Sequence, residues 1–179
     1  AADHLVDGPQ NDQHGSESYA AIKRFNEGRT ATQGAAFKLN ADVHVVNVGL
    51  EQDTSDLANI DQQVIRKGSH FFGLEPVISR DELERVLELG FTYADKLHAD
   101  GLQVVAIGNV GERAFLDSLV TTATITGCAY NDILVHNEWG PTVDERAAHI
   151  HSFVDPFKIA VDDWSALSES ERRDAVLHL

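Results

Sequence analysis

Apolar residues gather in two short runs separated by amphipathic stretches. The runs are Val43-His44-Val45-Val46-Asn47-Val48, closed by Gly49, and Leu102-Gln103-Val104-Val105-Ala106-Ile107, closed by Gly108. Both are rich in β-branched residues and nearly continuous in apolar character, which predicts strands covered on two faces. Between them Ser79 stands three residues before Glu82, the spacing at which a cap and a returning carboxylate start a helix. Leu83, Val86, Leu87, Gly90, Ala94 and Leu97 then share one helical face. Further helices are predicted from about Thr30 to Leu39 and from about Arg113 to Thr126, with shorter patterns over Ala147 to Phe153 and Ser168 to Leu177. Helix, strand, helix, strand, helix is the order of an α/β layered domain with a parallel sheet. Ligands of such sheets bind beyond the carboxyl ends of the strands, so the residues after Gly49 and Gly108 are the first candidates.

Composition narrows the classes. A chain of 179 residues suits one domain, expected to span 1–179. Its net charge of −15 opposes nucleic acid and anionic membranes. A phosphorylated metabolite is still within reach of backbone N–H groups, a helix N-terminus or an Arg side chain. No apolar run reaches membrane length, and no secretory leader is seen. Cys128 is the single cysteine, so no internal disulfide exists and a reducing cytoplasm is expected. The first residues, Ala1-Ala2-Asp3-His4, contain no Met, so the natural start is expected upstream.

Several segments carry groups able to do chemistry. Asp3-His4 pairs an acid with an imidazole, although neighbouring side chains point apart. Gly68-Ser69-His70 follows Arg66-Lys67 and reads as a turn with solvated cations or as a glycine loop with a hydroxyl beside a ligand. Gly108-Asn109-Val110-Gly111-Glu112-Arg113 lies at a strand-to-helix junction, the place that presents N–H donors to a phosphate. It lacks the third glycine of a dinucleotide fingerprint and the Lys-Ser/Thr ending of a P-loop. Glu51, Asp53, Asp56 and Asp61 match no calcium-loop spacing and read as a solvated loop. His149 and His151 have no further ligands in a zinc pattern, and no Gly-x-Ser-x-Gly elbow occurs. Neither a metal nor a cofactor is expected.

In order, these segments resemble the nicotinate-nucleotide:dimethylbenzimidazole phosphoribosyltransferases. Asp3-His4 resembles that family's Asp-His-Gly-Val, with Leu5 in place of Gly. Phe25-Asn26-Glu27-Gly28 with Gly34-Ala35-Ala36 is similar to its Asn-Phe-x-x-Gly-Gly-Ala. Val45-Val46-Asn47-Val48-Gly49 is similar to Val-Val-Asp-Val-Gly, and Arg66-Lys67-Gly68-Ser69-His70 to Arg-x-Gly-Thr. Glu75-Pro76-Val77-Ile78-Ser79-Arg80-Asp81-Glu82 resembles its Pro-Ala-Met-Thr-x-Glu-Glu helix start. Gly108-Asn109-Val110-Gly111 falls where the family has Gly-Glu-Met-Gly, Gly140-Pro141-Thr142-Val143-Asp144 where it has Gly-Thr-Gly-Val-Asp, and Asp155-Pro156-Phe157 resembles Asp-Pro-Leu. The likeness covers nearly all of this chain but about the middle half of a full-length member. The family's first strand and C-terminal part, which holds its catalytic Glu, have no counterpart.

The resemblance implies a three-layer α/β/α domain with a mainly parallel, Rossmann-like sheet, a shortened version of the family's large domain. It also implies a cytoplasmic homodimer with small-molecule substrates, a nucleotide and a benzimidazole, and a role in making the lower-ligand nucleotide of cobamides. Gly68, Ser69, Gly108, Asn109, Gly111 and Arg113 would face the nucleotide, and Asp3, His4 and Tyr19 the azole. The departures are equally specific. Asn109 stands where the family has Glu and cannot accept a proton. Arg113-Ala114-Phe115-Leu116 replaces Gly-Asn-Thr-Thr, Ala20 falls at a base-binding Gln, and Trp139 and Pro141 break the Gly-Thr-Gly loop. Losing a general base costs ~10²–10⁴ in rate. Two readings stay open: a phosphoribosyltransferase working with parts outside this chain, or a non-catalytic homologue that binds a nucleotide, an azole or a partner chain.

Overall fold

The computed structural model describes residues 2–3, 15–71, 76–111, 113–126, 128, 142, 144–145, 148 and 166–177. His4, Glu112, Trp139, Gly140, Pro141, Val143, His149, His151 and the segment Asp155-Pro156-Phe157 lie outside them, as does most of the helix predicted over Ala147 to Phe153. Helices α1 (Ser16–Asn26) and α2 (Ala31–Leu39) precede strand β1 (Val46–Asn47). Strand β2 (Asp61–Gln62), α3 (Arg80–Ala99), α4 (Ala114–Thr126) and α5 (Glu169–Val176) follow. The fold is α/β, with β1 and β2 parallel and Val46 opposite Asp61.

Three helices begin where side chains supply the missing backbone partners. Thr30, Ser79 and Ser168 each accept the N–H of the residue three places on, and Gln33, Glu82 and Glu171 each reach back to the cap's N–H. That reciprocal pair satisfies two of the donors a helix start leaves over. α1 carries no such signal. It starts at Gly15 in the left-handed region (φ 75°) without a side-chain cap, and its mark in the sequence is Tyr19, Ile22 and Phe25 recurring every third residue.

The parallel ladder extends beyond the two-residue strands. The Val45, Asn47 and Val48 carbonyls accept the N–H groups of Asp61, Gln63 and Ile65, each at 2.9 Å. The main core lies beneath it, formed by Ile22, Leu50, Leu57 and Ile60 with Tyr19, Phe25, Val45 and Val110 packed around them. Fully burying one such aliphatic side chain is worth about 1.5–3 kcal/mol. α5 is tied to the start of α3 by Arg80–Asp174 and Arg173–Glu84 ion pairs, and by the Val77 N–H on the Leu177 carbonyl at 2.9 Å.

The second predicted strand is corrected. Residues 102–107 form no ladder among the described residues, and they face solvent: Val104 is 85% exposed and Ile107 95%. A strand needs neighbours to take its N–H and C=O groups and to cover its side chains. β-Branched composition favours a strand but does not supply the neighbour. No helix among the described residues is long and apolar enough to cross a membrane.

Candidate functional site at the carboxyl end of β1

Asn47, polar within an apolar run, organises the end of β1. It is 1% exposed, and its Oδ1 accepts the N–H groups of Gly49 (3.0 Å) and Leu50 (2.9 Å). Its Nδ2 donates to Thr54 Oγ1 (2.8 Å) and Gln62 Oε1 (3.1 Å). All four hydrogen-bonding positions of the amide are used, and the chain is turned sharply just after the strand.

The turned Gly49 carbonyl gathers two distant segments. It accepts the N–H of Asp3 and that of Gly68, each at 3.0 Å. Asp3 then returns its own carbonyl to the Ser69 N–H at 3.0 Å. Gly68 sits at φ 62°, where a glycine is favoured. Asp3 is 2% exposed, and its carboxylate accepts the Glu51 N–H at 2.7 Å. Gly15 lies directly against that carboxylate, since a Cβ there would be 2.7 Å from Asp3 Oδ2. Of the predicted site residues, Asp3, Gly68 and Ser69 are thus held together by backbone bonds. The Ser69 hydroxyl donates to the His70 carbonyl at 2.7 Å.

Charged groups surround this cluster. The Tyr19 hydroxyl donates to Asp56 Oδ2 at 2.9 Å. That bond, with slight burial and the charges of Asp56 and Asp53, raises the phenol above its ordinary value. Asp53 is held below the usual carboxylate range by hydrogen bonds from Ser55, with help from Lys67. Arg66 reaches His70 Nδ1 at 3.2 Å and Glu82 Oε1 at 3.5 Å, while its buried Nε has no hydrogen-bond partner among the described residues. Burial alone would raise Glu82, but the Ser79 bonds and Arg66 outweigh it and hold the carboxyl low. Asn47, Asp56 and Arg66 contribute although the sequence reading does not place them among the site residues: Arg66 stands out only as a cation before the glycine turn, and Asp56 only as one carboxylate of a solvated loop. Asn47 is marked by being polar inside an apolar strand.

The second predicted corner serves packing. The Val110 carbonyl accepts the Ala2 N–H at 3.1 Å. Gly111 lies so close to Ala2 that a Cβ would run into the Ala2 carbonyl. Asn109 donates to the Ala114 carbonyl at 2.9 Å and to Ser118 Oγ, so its amide braces the start of α4. Arg113 is half-buried at φ 56°, immediately ahead of α4. Gly108 is exposed. A cleft of about 350 Å³ lies elsewhere, where Phe25, Asn26, Gly28 and Gln33 meet Val45 and Asn59 at the amino side of β1. None of the predicted site residues that are described lines it. No group of three or more metal-ligating side chains occurs among the described residues.

Residues 1–151 match the family model DBI_PRT, described as phosphoribosyltransferase. A nicotinate-nucleotide–dimethylbenzimidazole phosphoribosyltransferase of Geobacter sp. (strain M21) is 27% identical over 112 residues, covering 63% of this chain and 32% of that protein. The enzyme of that name from Roseiflexus castenholzii is 27% identical over 128 residues, 71% of this chain and 36% of its own. The crystal structure of CobT from Thermus thermophilus superposes with a TM-score of 0.70 at 19% identity, over 98% of this chain and 52% of that one. The matched part is therefore about a third of these curated relatives' length.

Proposed function

The chain belongs to the phosphoribosyltransferase family, and on that premise we propose that it handles the substrates of a nicotinate-nucleotide–dimethylbenzimidazole phosphoribosyl transfer and, alone, binds them without turnover. Displacing nicotinate from the ribose by an azole nitrogen needs a base on the azole and donors on the phosphate. The single observation that carries the binding-only part is Asn109. It stands where the resemblance expects a carboxylate, it has no proton-accepting carboxylate to offer, and its Nδ2 is engaged with α4. The substrate-handling part rests on Asp3, Gly68 and Ser69 being drawn to one strand end.

In this reading Gly68 and Ser69 hold the nucleotide, with Gly108, Gly111 and Arg113 contributing from the neighbouring corner. Asp3, His4 and Tyr19 face the benzimidazole. Residues 1–179 form one Rossmann-like domain, corresponding to part of the family's large domain, in a cytoplasmic homodimer. A lone, exposed Cys128 fits a reducing compartment.

The test is a paired measurement on the purified chain with nicotinate mononucleotide and dimethylbenzimidazole. A ligand at a hundred times its Kd stabilises the folded state by about 2.7 kcal/mol. The expected result is a rise in melting temperature without nicotinate release. Absence of a shift with either ligand removes the substrate site. Release above the uncatalysed rate removes the binding-only part.

A further inference from the structure

His70, the residue after the Gly68–Ser69 turn, is held by two routes. In the first, its N–H donates to the Val77 carbonyl at 2.8 Å, and the Val77 N–H donates to the Leu177 carbonyl at 2.9 Å, just past the end of α5. In the second, its ring Nδ1 faces Arg66 at 3.2 Å. A guanidinium can only donate, so Nδ1 is the acceptor. Arg66 also meets Glu82 Oε1 at 3.5 Å, while Glu82 Oε2 accepts the Ser79 N–H at 2.8 Å. This second route ends on the first turn of α3, the turn that α5 grips through Arg80–Asp174 and Arg173–Glu84. Val77 and Ala175 of α5 are both buried. An eight-residue helix is marginal by itself, so docking and helix formation in α5 support each other.

We propose that α5 is a positioning element for the substrate turn, with Val77 and His70 as the positioning residues that connect them. Docked on the start of α3, α5 holds Val77, Val77 holds His70, and His70 fixes the turn from its downstream side. Ser69 is tied into the same point, since its hydroxyl donates to the His70 carbonyl at 2.7 Å and its N–H to the Asp3 carbonyl. Docking of α5 and ordering of the turn are then linked, and a ligand that favours one favours the other by the same factor. The exposed ion pairs that fasten α5 are individually weak and screened by salt. They can be loosened while the core beneath β1 stays intact. α5 also lies beyond residue 151, where the family match ends. That the ligand is a nucleotide rests on the substrate reading above; the coupling of α5 to the turn does not.

Hydrogen–deuterium exchange on the full chain tests this. Arg80→Asp sets like charges against Asp174, yet a carboxylate is favoured in the first turn of α3, so that helix is not weakened. The amides of Val77, His70 and Ser69 are expected to exchange about 3- to 10-fold faster, with Asp61 and Gln63 in the β1–β2 ladder unchanged. Adding Asp174→Arg restores the pair with its signs exchanged and should return all three amides to the parental rate. Ala175→Glu forces a charge into a buried place, and should release α5 and speed the same amides further. The proposal is overturned if Val77 speeds up while His70 and Ser69 do not, if the exchanged pair fails to restore them, or if Ala175→Glu leaves all three unchanged. Nicotinate mononucleotide supplies a second arm: on the parent it should slow Val77 as well as Ser69, and slowing of Ser69 alone overturns the coupling. If it slows neither, the nucleotide reading fails, and the variants still decide whether α5 positions the turn.

Discussion

Replacing Asn47 by Ala removes the group that shapes the candidate site from below. The side chain is fully buried and holds the N–H groups of Gly49 and Leu50 at 3.0 and 2.9 Å. Both lose their acceptor in the Ala variant, and each buried unsatisfied donor costs about 1–3 kcal/mol. The acceptors on the other side suffer less, because Gln62 Oε1 still receives the Thr54 hydroxyl at 2.9 Å. Two orphaned amides, partly relieved by water entering the space, give an expected loss of about 3–5 kcal/mol. That is a large share of the ~5–15 kcal/mol that keeps a domain folded. In urea, with a slope near 2 kcal/mol/M, the midpoint should fall by about 2 M without a change of slope. Asn47→Asp keeps both acceptor bonds, and Thr54 and Gln62 can turn to donate, so its loss should be about 1–2 kcal/mol. An Ala variant within about 1 kcal/mol of the parent, or one no worse than Asp, would refute the role given to this amide.

Gly111→Ala should cost more than about 2 kcal/mol and lower the melting temperature, because its Cβ meets the Ala2 backbone rather than a movable side chain. A variant as stable as the parent would show that Ala2 does not lie there. Tyr93 is raised to about 12 by burial and by its hydrogen bond to Asp61, so its contribution is complete below pH 10 and is lost as pH climbs from 10 to about 12. Asp61 is lowered, first by that same bond, so its contribution is present above its unfolded value and fades as acid reaches the folded one. Tyr93→Phe should therefore flatten the alkaline limb of a stability–pH curve, shrink the acid limb and cost up to ~1 kcal/mol at neutral pH; two unchanged limbs would count against the pair. Ser79→Ala removes the acceptor of the Glu82 N–H and should cost about 1 kcal/mol in chemical denaturation, with no loss expected if the cap is incidental.

The parts that can be read from the chain are those whose instructions are local. Ser79 with Glu82 announces α3, and Thr30 announces α2, because a cap and its returning side chain lie within four residues of each other. The strand at Val43 to Val48 is legible in kind, though its ladder is short. The run from Leu102 to Ile107 reads as a strand but forms no ladder among the described residues, because pairing depends on a neighbour at no fixed sequence distance. The site shows the same division. Gly68 and Ser69 stand out as a glycine turn after two cations, but nothing in their spacing says that Gly49 will join them to Asp3. The Tyr19–Asp56 bond spans 37 positions and is equally silent in sequence. Asn109 reads as a lost proton acceptor, which its chemistry supports, while its bracing of α4 emerges only in three dimensions.

The reciprocal caps at Thr30, Ser79 and Ser168 have a consequence for how such a chain tolerates rearrangement. Each helix carries its own starting instruction, complete within one turn, and needs no distant residue to read it. The strands carry no equivalent and depend on company. A gene in this lineage that is cut, fused or eroded should therefore keep recognisable helices long after its sheet has lost members.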